Sequence, residues 1–452
     1  MSVTDSPIDM PRVTQSFAQW IAATGNAEMT DQSNLWATHA LLDWFAVTIA
    51  ARDEPLVQML VDEYATPNAS HHIFGHEKCA AIGNAVLING SAGHALDFDD
   101  VNPLLSGHAT VVVAPVVIAL AQSRRFSGAD VLRAFTVGYE VACRLGDMCR
   151  PSHYERGFHA TGTIGTFGAA AAASSLLQLT AEQSAHALGI AAAQASGLKS
   201  MFGTMTKPLH AGKAAMNGLM AAQLAARGFT ANPAGIECEQ GFAATQVPQF
   251  EPVALPIRPN EPFAVQSNLF KYHAACYLTH STIEAIRKIR SQCQIGLNDL
   301  QSMTISVPAG HRNVCDIREP TTGLNTKFSI RHLACVALDG RDTADLSLFS
   351  DETANDPRYV AARKRVELSD SVIPLTRAAT VSITARDHRT FEQFFDVAIP
   401  ATDLNSQFLR LTAKATALMA PVIGKRRCVE VISAIESLDV SPDISKLVQA
   451  AV

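Results

Sequence analysis

The residues most able to do chemistry begin with an acidic motif close to position 100. It runs His94-Ala95-Leu96-Asp97-Phe98-Asp99-Asp100, and His108 follows shortly after it. Three carboxylates within four residues repel one another unless solvent, donors or cations compensate them. The motif is compatible with a solvated loop, with the wall of an active site or with a divalent metal site. The glycine and final glutamate of a calcium-binding loop are missing, which counts against the metal interpretation.

Two more motifs place a cation-capable side chain where an Ala- and Gly-rich helix should begin. His159 precedes Ala160-Thr161-Gly162, and a helix N-terminus there would attract anions. The alternative is that His159 only caps the helix. Lys207 precedes Pro208, a residue suited to a first helical turn, and could act as an acid/base there. The alternative is an ordinary surface lysine.

A fourth motif, residues 270–280, adds Lys271 and His273 farther along the chain. Each of the four signals is weak when taken alone.

Composition limits the classes of protein that the chain can be. It has 452 residues, 48% of them hydrophobic and 17% charged, with a net charge of −6. Such a chain is not disordered and has no basic surplus for nucleic acid. The first seven residues lack the pattern of a signal peptide, and no apolar run reaches the length of a membrane span. We expect a cytoplasmic enzyme that binds neither nucleic acid nor membrane.

Cysteine usage argues against a metal centre. Nine cysteines are scattered along the chain without any Cys-x-x-Cys pair. Reduced thiols packed as small apolar groups are the expected state in the cytoplasm. We predict no metal and no organic cofactor.

The elements that must position these motifs are mainly helical. Helical periodicity dominates residues 11–230, with N-caps at Thr30 and Ser127 and a capping box at Thr180 to Gln183. Alternating residues predict strands around 303–307, 379–383 and 391–397, with helices at 281–290 and 327–338. The fold class is therefore mainly α: a large all-helical domain, residues 1–265 with 403–452, plus a smaller α+β lid domain, residues 266–402.

Taken together and in order, the motifs resemble the MmgE/PrpD family, which includes 2-methylcitrate dehydratase, cis-aconitate decarboxylase and iminodisuccinate epimerase. The resemblance runs from about residue 30 to 430. It is carried by Asn89-Gly90, the motif 94–100, Gly138-Tyr139-Glu140, Gly157-Phe158-His159, the segment 206–212 and Phe328-Ser329-Ile330. It implies a homodimer and a site between the two domains that uses no metal or cofactor.

The resemblance also implies roles for individual residues. Asp97, His108, His159, Lys207 and Lys271 match positions that line the site in decarboxylase-like members, and Tyr154 with Lys207 matches the acid/base pair of the epimerase branch. We therefore expect the catalytic groups to be Lys207, Tyr154, His159, Asp97 and His108. We expect substrate to be bound by Lys271, His210 and His332.

Two departures from the family pattern bear on the reaction. His108-Ala109 stands where a His-Pro pair is usual, and His332 stands where a tyrosine implicated in decarboxylation is expected. The second departure counts against a cis-aconitate decarboxylase. We predict a hydro-lyase that removes a proton next to a carboxylate of a small anionic di- or tricarboxylate. The alternatives are an epimerase that uses Tyr154 and Lys207, and a non-catalytic polycarboxylate-binding protein.

Overall fold

The computed structural model describes residues 12–24, 29–253, 261–371 and 377–452. The first seven residues, from which the absence of a signal peptide was predicted, lie outside these ranges. The chain folds into two compact units. Unit 1 comprises Met1–Asn268 and Leu411–Val452, and unit 2 comprises Leu269–Arg410.

Unit 1 is built almost entirely from helices. They are α1 (Val13–Ala23), α2 (Asp31–Ala50), α3 (Pro55–Tyr64), α4 (Ile82–Ala95), α5 (Thr110–Ser123), α6 (Gly128–Cys149), α7 (Ser152–Glu155), α8 (Ala160–Leu176), α9 (Ala181–Gln194), α10 (Thr206–Ala226), α11 (Phe242–Gln246), and, after unit 2, α18 (Leu404–Glu436) and α19 (Ser445–Ala450). The unit boundary at residue 410 falls within α18, which Gly424 interrupts at a φ of 81°.

The predicted helix starts are confirmed at three places. Thr30 accepts a hydrogen bond from the Ser33 amide, and Ser127 and Thr180 form capping boxes at the starts of α6 and α9. Each cap satisfies amides that have no partner inside the helix. Gly228, with a φ of 87°, follows α10 and terminates the helix.

Helix α8 is the centre of unit 1, and every one of its residues is buried. It packs on α6 and α10 through small residues. A Cβ atom at Gly138 of α6 would lie 2.6 Å from Gly168 O and from Ala172 Cβ. Only glycine permits this close approach, which explains the Ala- and Gly-rich composition of the segment.

Helices α4 and α10 cross equally closely. A Cβ atom at Gly90 would lie 2.8 Å from Gly212 Cα, and one at Gly212 would lie 2.1 Å from Leu87 O. This contact holds the C-terminal end of α4 beside the N-terminal end of α10. The two ends carry Asp97 and Lys207.

The expectation of an all-helical domain needs one small correction. Strands β1 (His71–His72) and β2 (Cys79–Ala80) pair antiparallel within unit 1. Two residues per strand are too few to produce an alternating pattern, so this ladder has no signal in the sequence. The mainly α fold class is confirmed. None of the helices within the described ranges is long and apolar enough to cross a membrane.

Unit 2 combines a four-stranded sheet with helices. The strands are β3 (Leu300–Val307), β4 (Val366–Asp370), β5 (Ala378–Ala385) and β6 (Thr390–Asp396), in the order β4-β3-β5-β6. β3 pairs parallel with β4, whereas the other two pairings are antiparallel. The helices are α12 (His280–Cys293), α13 (Ala309–Cys315), α14 (Gly323–Thr326), α15 (Ile330–Leu338), α16 (Asp351–Asn355) and α17 (Pro357–Arg363).

The core of unit 2 forms on one face of this sheet. Met303 and Ile305 of β3 lie opposite Ile383 and Val381 of β5, and all four are at most 1% exposed. Apolar residues of α12 and α15 belong to the same buried cluster. Alternation along β3 and β5 predicted this arrangement.

Candidate active site

The acidic motif lies where α4 ends. His94 is in the last turn of α4, and Asp97 follows with a φ of 52°. Asp99 and Asp100 are each only 1% exposed. The interpretation of the motif as a solvated loop is therefore wrong for these two carboxylates. Their burial calls for partners within the fold.

Asp99 lies between two histidines. Both of its carboxylate oxygens are 3.0 Å from His94 Nδ1, and Oδ2 is 2.9 Å from His108 Nδ1. The His108 amide donates to Thr161 Oγ1 of α8 at 3.1 Å, which fixes this loop against the central helix.

The electrostatics of this group favour an anionic Asp99. Burial alone would raise its pKa, but His108 and His94 outweigh burial and hold the pKa well below its ordinary value. Burial lowers the pKa of His94 to about 4, although Asp99 opposes that shift. A neutral His94 at pH 7 can therefore donate one hydrogen bond to Asp99.

Asp100 has a different environment. Its Oδ2 accepts hydrogen bonds of 2.5 Å from Thr110 Oγ1 and from Asn268 Nδ2. Burial and the nearby Asp43 carboxylate raise the pKa of Asp100 to about 8. Asp43 itself pairs at 2.5 Å with Lys414 of α18, a lysine that is 4% exposed. These groups fix the acidic motif to the unit 1 core.

His159 immediately precedes α8, as the sequence predicted, but its side chain makes no capping hydrogen bond. Its Nδ1 lies 3.1 Å from Nδ1 of His210, and its ring stacks on His94 with centroids 5.8 Å apart. Burial, followed by several neighbouring cationic groups, lowers the pKa of His159 well below its ordinary value. Burial and Lys207 lower the pKa of His210 as well. At neutral pH both imidazoles are therefore uncharged, and one donates the hydrogen bond that the other accepts.

Lys207 occupies the first turn of α10 and reaches the acidic motif. Its Nζ donates to Asp97 Oδ1 at 2.9 Å, and the two side chains are 17% and 36% exposed. The Phe202 ring lies 5.6 Å from Nζ and packs edge-on against His159. Lys207 is thus a partly shielded cation with an anion on one side and an aromatic ring on another.

Tyr154 is half-buried in the short helix α7. Lys199 lies over its ring, with Nζ 3.8 Å from the ring centroid. A bridge between Phe158 and Leu198 joins the segment after Tyr154 to the segment before Lys207.

Unit 1 therefore brings Asp97, His108, His159, Lys207 and His210 into one connected cluster. Lys271 and His332 belong to unit 2, where each is at most 2% exposed. His332 lies in α15 with its ring centroid 5.5 Å from that of Tyr359. Burial, reinforced by Arg363, lowers the pKa of His332 to about 4.

Some of these groups could in principle hold a metal ion. One donor atom from each of His94, Asp97, Asp99 and His108 lies within 4.8 Å of the others. Lys207 already engages Asp97, and Asp99 already engages both histidines. A cation at this position would have to displace those contacts.

Sequence reasoning assigned no role to Asp99, His94 or Lys199. The motif containing the first two was recognised, but nothing in its pattern separates a buried carboxylate from an exposed one. Lys199 stands in a segment without any chemical motif, and only the fold brings it to Tyr154.

Comparison with known protein families finds two matching domain profiles. The MmgE/PrpD N-terminal domain profile matches residues 15–253, and the MmgE/PrpD C-terminal domain profile matches residues 273–439. The chain belongs to the MmgE/PrpD family. The family assignment made from the sequence motifs is thereby confirmed.

Several cis-aconitate decarboxylases are similar to the chain along most of its length. Human cis-aconitate decarboxylase is 28% identical, covering 84% of this chain and 82% of its own. The mouse enzyme is also 28% identical, covering 85% of this chain and 82% of its own. Cis-aconitate decarboxylase of Aspergillus terreus is 26% identical, covering 78% of this chain and 77% of its own.

Proposed function

We propose that this protein is a cofactor-independent lyase that removes a proton next to a carboxylate of a small di- or tricarboxylate, and that the reaction is a dehydration. The observation that carries the proposal is the Lys207–Asp97 pair, at 2.9 Å, beside the uncharged pair His159 and His210. The similar proteins from human and Aspergillus terreus are cis-aconitate decarboxylases, which are named for a tricarboxylate.

The cluster has the parts that such a reaction needs. Removing a proton next to a carboxylate builds negative charge on that carboxylate, and a preorganised cation in a partly dry site stabilises the charge. Lys207 supplies the cation, and the start of α8 adds the positive end of a 17-residue helix. Asp97 fixes the direction of the ammonium group.

Proton transfer falls to the histidines in this proposal. Because burial keeps His159 uncharged at neutral pH, it can accept a proton from the substrate carbon. The electron pair of the broken C–H bond forms the new double bond as the neighbouring C–O bond breaks. The hydroxide then leaves as water, with a proton from an acid such as Lys207. His108 is proposed to bind another carboxylate of the substrate, and Lys271 and His332 are substrate-binding candidates on the family resemblance alone.

Dehydration is favoured over decarboxylation because of position 332. The family resemblance places a tyrosine implicated in decarboxylation there, and this chain has a histidine whose pKa burial lowers to about 4. The buried, uncharged imidazole of His332 does not supply the phenol O–H that a tyrosine would have at this position. We also propose that the protein is cytoplasmic and forms a homodimer, as the resemblance implies.

Epimerisation is a second candidate with its own supporting observation. Tyr154 is held by a cation on its ring face, and it precedes the bridged segment that leads to His159. With Lys207 it would supply two acid/base groups, one for each face of the reacting carbon.

One experiment separates these reactions. The purified protein is incubated in deuterated water with hydroxytricarboxylates of the citrate type, with cis-aconitate and with an imino-linked dicarboxylate, and products are followed by NMR. The proposal predicts that a hydroxy acid loses water and gives a product with a new carbon–carbon double bond. Loss of carbon dioxide would establish a decarboxylase instead, and deuterium incorporation with inversion of configuration at the exchanged carbon would establish an epimerase. Saturable binding with no exchange and no product would identify a non-catalytic binder and contradict the proposal.

A further inference from the structure

Lys199 and Tyr154 form a contact whose geometry is more specific than a chance surface pair. The Lys199 ammonium lies 3.8 Å above the centroid of the Tyr154 ring and donates a hydrogen bond to Tyr154 O at 3.1 Å. One group thus contacts both the face of the aromatic ring and the backbone of the same residue. The side chain and the main chain of Tyr154 are held together.

The backbone of Lys199 is anchored as well. Its amide donates to Gly157 O at 2.8 Å, and the His159 amide donates to Gly197 O at 3.0 Å. Between these two hydrogen bonds lies the bridge of Phe158 with Leu198. The segment 197–199 is therefore fixed, as a short antiparallel pairing, to the segment that joins Tyr154 to His159. This pairing fixes the Cα end of the Lys199 side chain, and the contacts with Tyr154 hold its ammonium end.

We propose that Lys199 is a positioning residue, whose ammonium fixes the Tyr154 phenol in the orientation required for its action on the substrate. This inference rests on the proposed function for the role of Tyr154, which orients the substrate in a dehydration and is an acid/base group in an epimerisation, whereas the contact itself stands independently of it. A cation over an aromatic face is attracted by the ring quadrupole, and a ring held this way is less free to rotate away. Burial lowers the pKa of Lys199, and the nearby Glu155 carboxylate opposes that shift.

An ordinary structural role predicts different behaviour. If Lys199 only supported the loop, any side chain of similar length that kept the backbone pairing would serve equally well. If its charge over the ring is what matters, arginine should substitute for lysine, because guanidinium also stacks on aromatic faces. Methionine, with a similar stem and no charge, should not.

The test compares Lys199→Met, Lys199→Arg and Lys199→Gln, with Lys213→Met as the matched control at an exposed lysine of α10. The protein is labelled with 13Cζ-tyrosine, and the Tyr154 resonance among the six tyrosines is assigned with Tyr154→Phe. Turnover or hydrogen exchange is measured on the substrate that the experiment in deuterated water identifies. Lys199→Gln keeps a donor for Tyr154 O without the charge, so it remains informative if Lys199→Met folds poorly.

We expect Lys199→Met and Lys199→Gln to shift the Tyr154 resonance and to lower kcat on the order of 10-fold, with KM changed less than about 2-fold. Lys199→Arg should keep the resonance near its original position and restore most of kcat, and Lys213→Met should change neither. A Tyr154 resonance and a kcat unaffected by Lys199→Met would overturn the inference, as would a shifted resonance with unchanged kcat. If the proposed function fails because no substrate is turned over, the resonance still reports on the contact, so the two failures are distinguishable.

Discussion

Lys207 Nζ lies 2.9 Å from Asp97 Oδ1, although the two residues are 110 positions apart in the sequence. The contact follows from the packing of α4 on α10, where Gly90 and Gly212 allow the helix backbones to approach closely. The end of one helix and the start of the other then meet at the acidic motif. This pair orients the cation on which the proposed chemistry depends.

Replacing Asp97 should affect activity far more than stability. Asp97→Asn removes the anion that orients Lys207, and we expect kcat/KM to fall about 100-fold. Because the Asp97 side chain is 36% exposed, the free energy of unfolding should change by less than about 1 kcal/mol. Steady-state kinetics and urea unfolding measure both quantities. Glu430→Gln, in the exposed pair with Arg426, is the control and should change neither. Normal kcat/KM in Asp97→Asn would contradict the orienting role.

Replacing Asp99 should instead destabilise the protein. Asp99→Asn leaves His94 and His108 without their shared buried anion, and we expect a loss of about 3 kcal/mol in the free energy of unfolding. The control is Asp62→Asn, which removes an exposed pair with Lys78 and should cost less than about 0.5 kcal/mol. Equal unfolding midpoints in urea for the two variants would show that Asp99 has no such structural role.

Stability should fall in mildly acidic solution because histidines are buried uncharged. Burial lowers the pKa of His39 from 6.5 to about 4. The unfolded chain therefore binds a proton below about pH 6.5 that the folded protein does not bind until about pH 4. The stabilisation is complete above pH 6.5 and is lost as the pH falls towards 4, by up to about 3 kcal/mol for this one residue.

The measurement is urea unfolding of the wild type and of His39→Gln at several pH values between 7.5 and 4.5. The variant should lose less stability over this range than the wild type does. His388→Gln, at an exposed histidine, should follow the wild type. Parallel curves for the wild type and His39→Gln would refute the assignment.

Removal of metal should leave activity intact. The donor atoms of His94, Asp97, Asp99 and His108 are close enough for a cation, but Asp97 is already paired with Lys207, and both histidines already contact Asp99. We expect kcat to be unchanged after dialysis against EDTA. Recovery of one zinc or iron per chain from active protein, with activity lost on its removal and restored on its return, would show that the cluster is a metal centre.

Local sequence signals predicted the elements well where the physical cause is local. The caps at Thr30, Ser127 and Thr180 and the alternation along β3 and β5 depend on residues a few positions apart, and the structure has all of them. β4 was not predicted. Of its five residues only Val366 is fully buried, so the strand has no clean alternation to detect.

The candidate site depended on contacts that no local pattern encodes. Lys207 and Asp97 were recognised as candidates, but their pairing requires the close packing of α4 on α10. The buried pair of Lys414 with Asp43 spans 371 positions and has no local signature. Residue type could not distinguish Asp99 from Asp97, yet Asp99 is 1% exposed and the Asp97 side chain is 36% exposed.

The central claim is that Lys207 takes part in proton transfer next to a substrate carboxylate, and Lys207→Met tests it most directly. Methionine keeps most of the packing of the lysine stem and deletes the charge. The measurement is kcat/KM on the identified substrate for the wild type, Lys207→Met and Lys207→Arg, with melting temperatures recorded in parallel. We predict that Lys207→Met retains the melting temperature but loses about 10³-fold or more in kcat/KM, and that Lys207→Arg does not restore it because guanidinium cannot give up its proton. Near-normal turnover by a folded Lys207→Met protein would contradict the account.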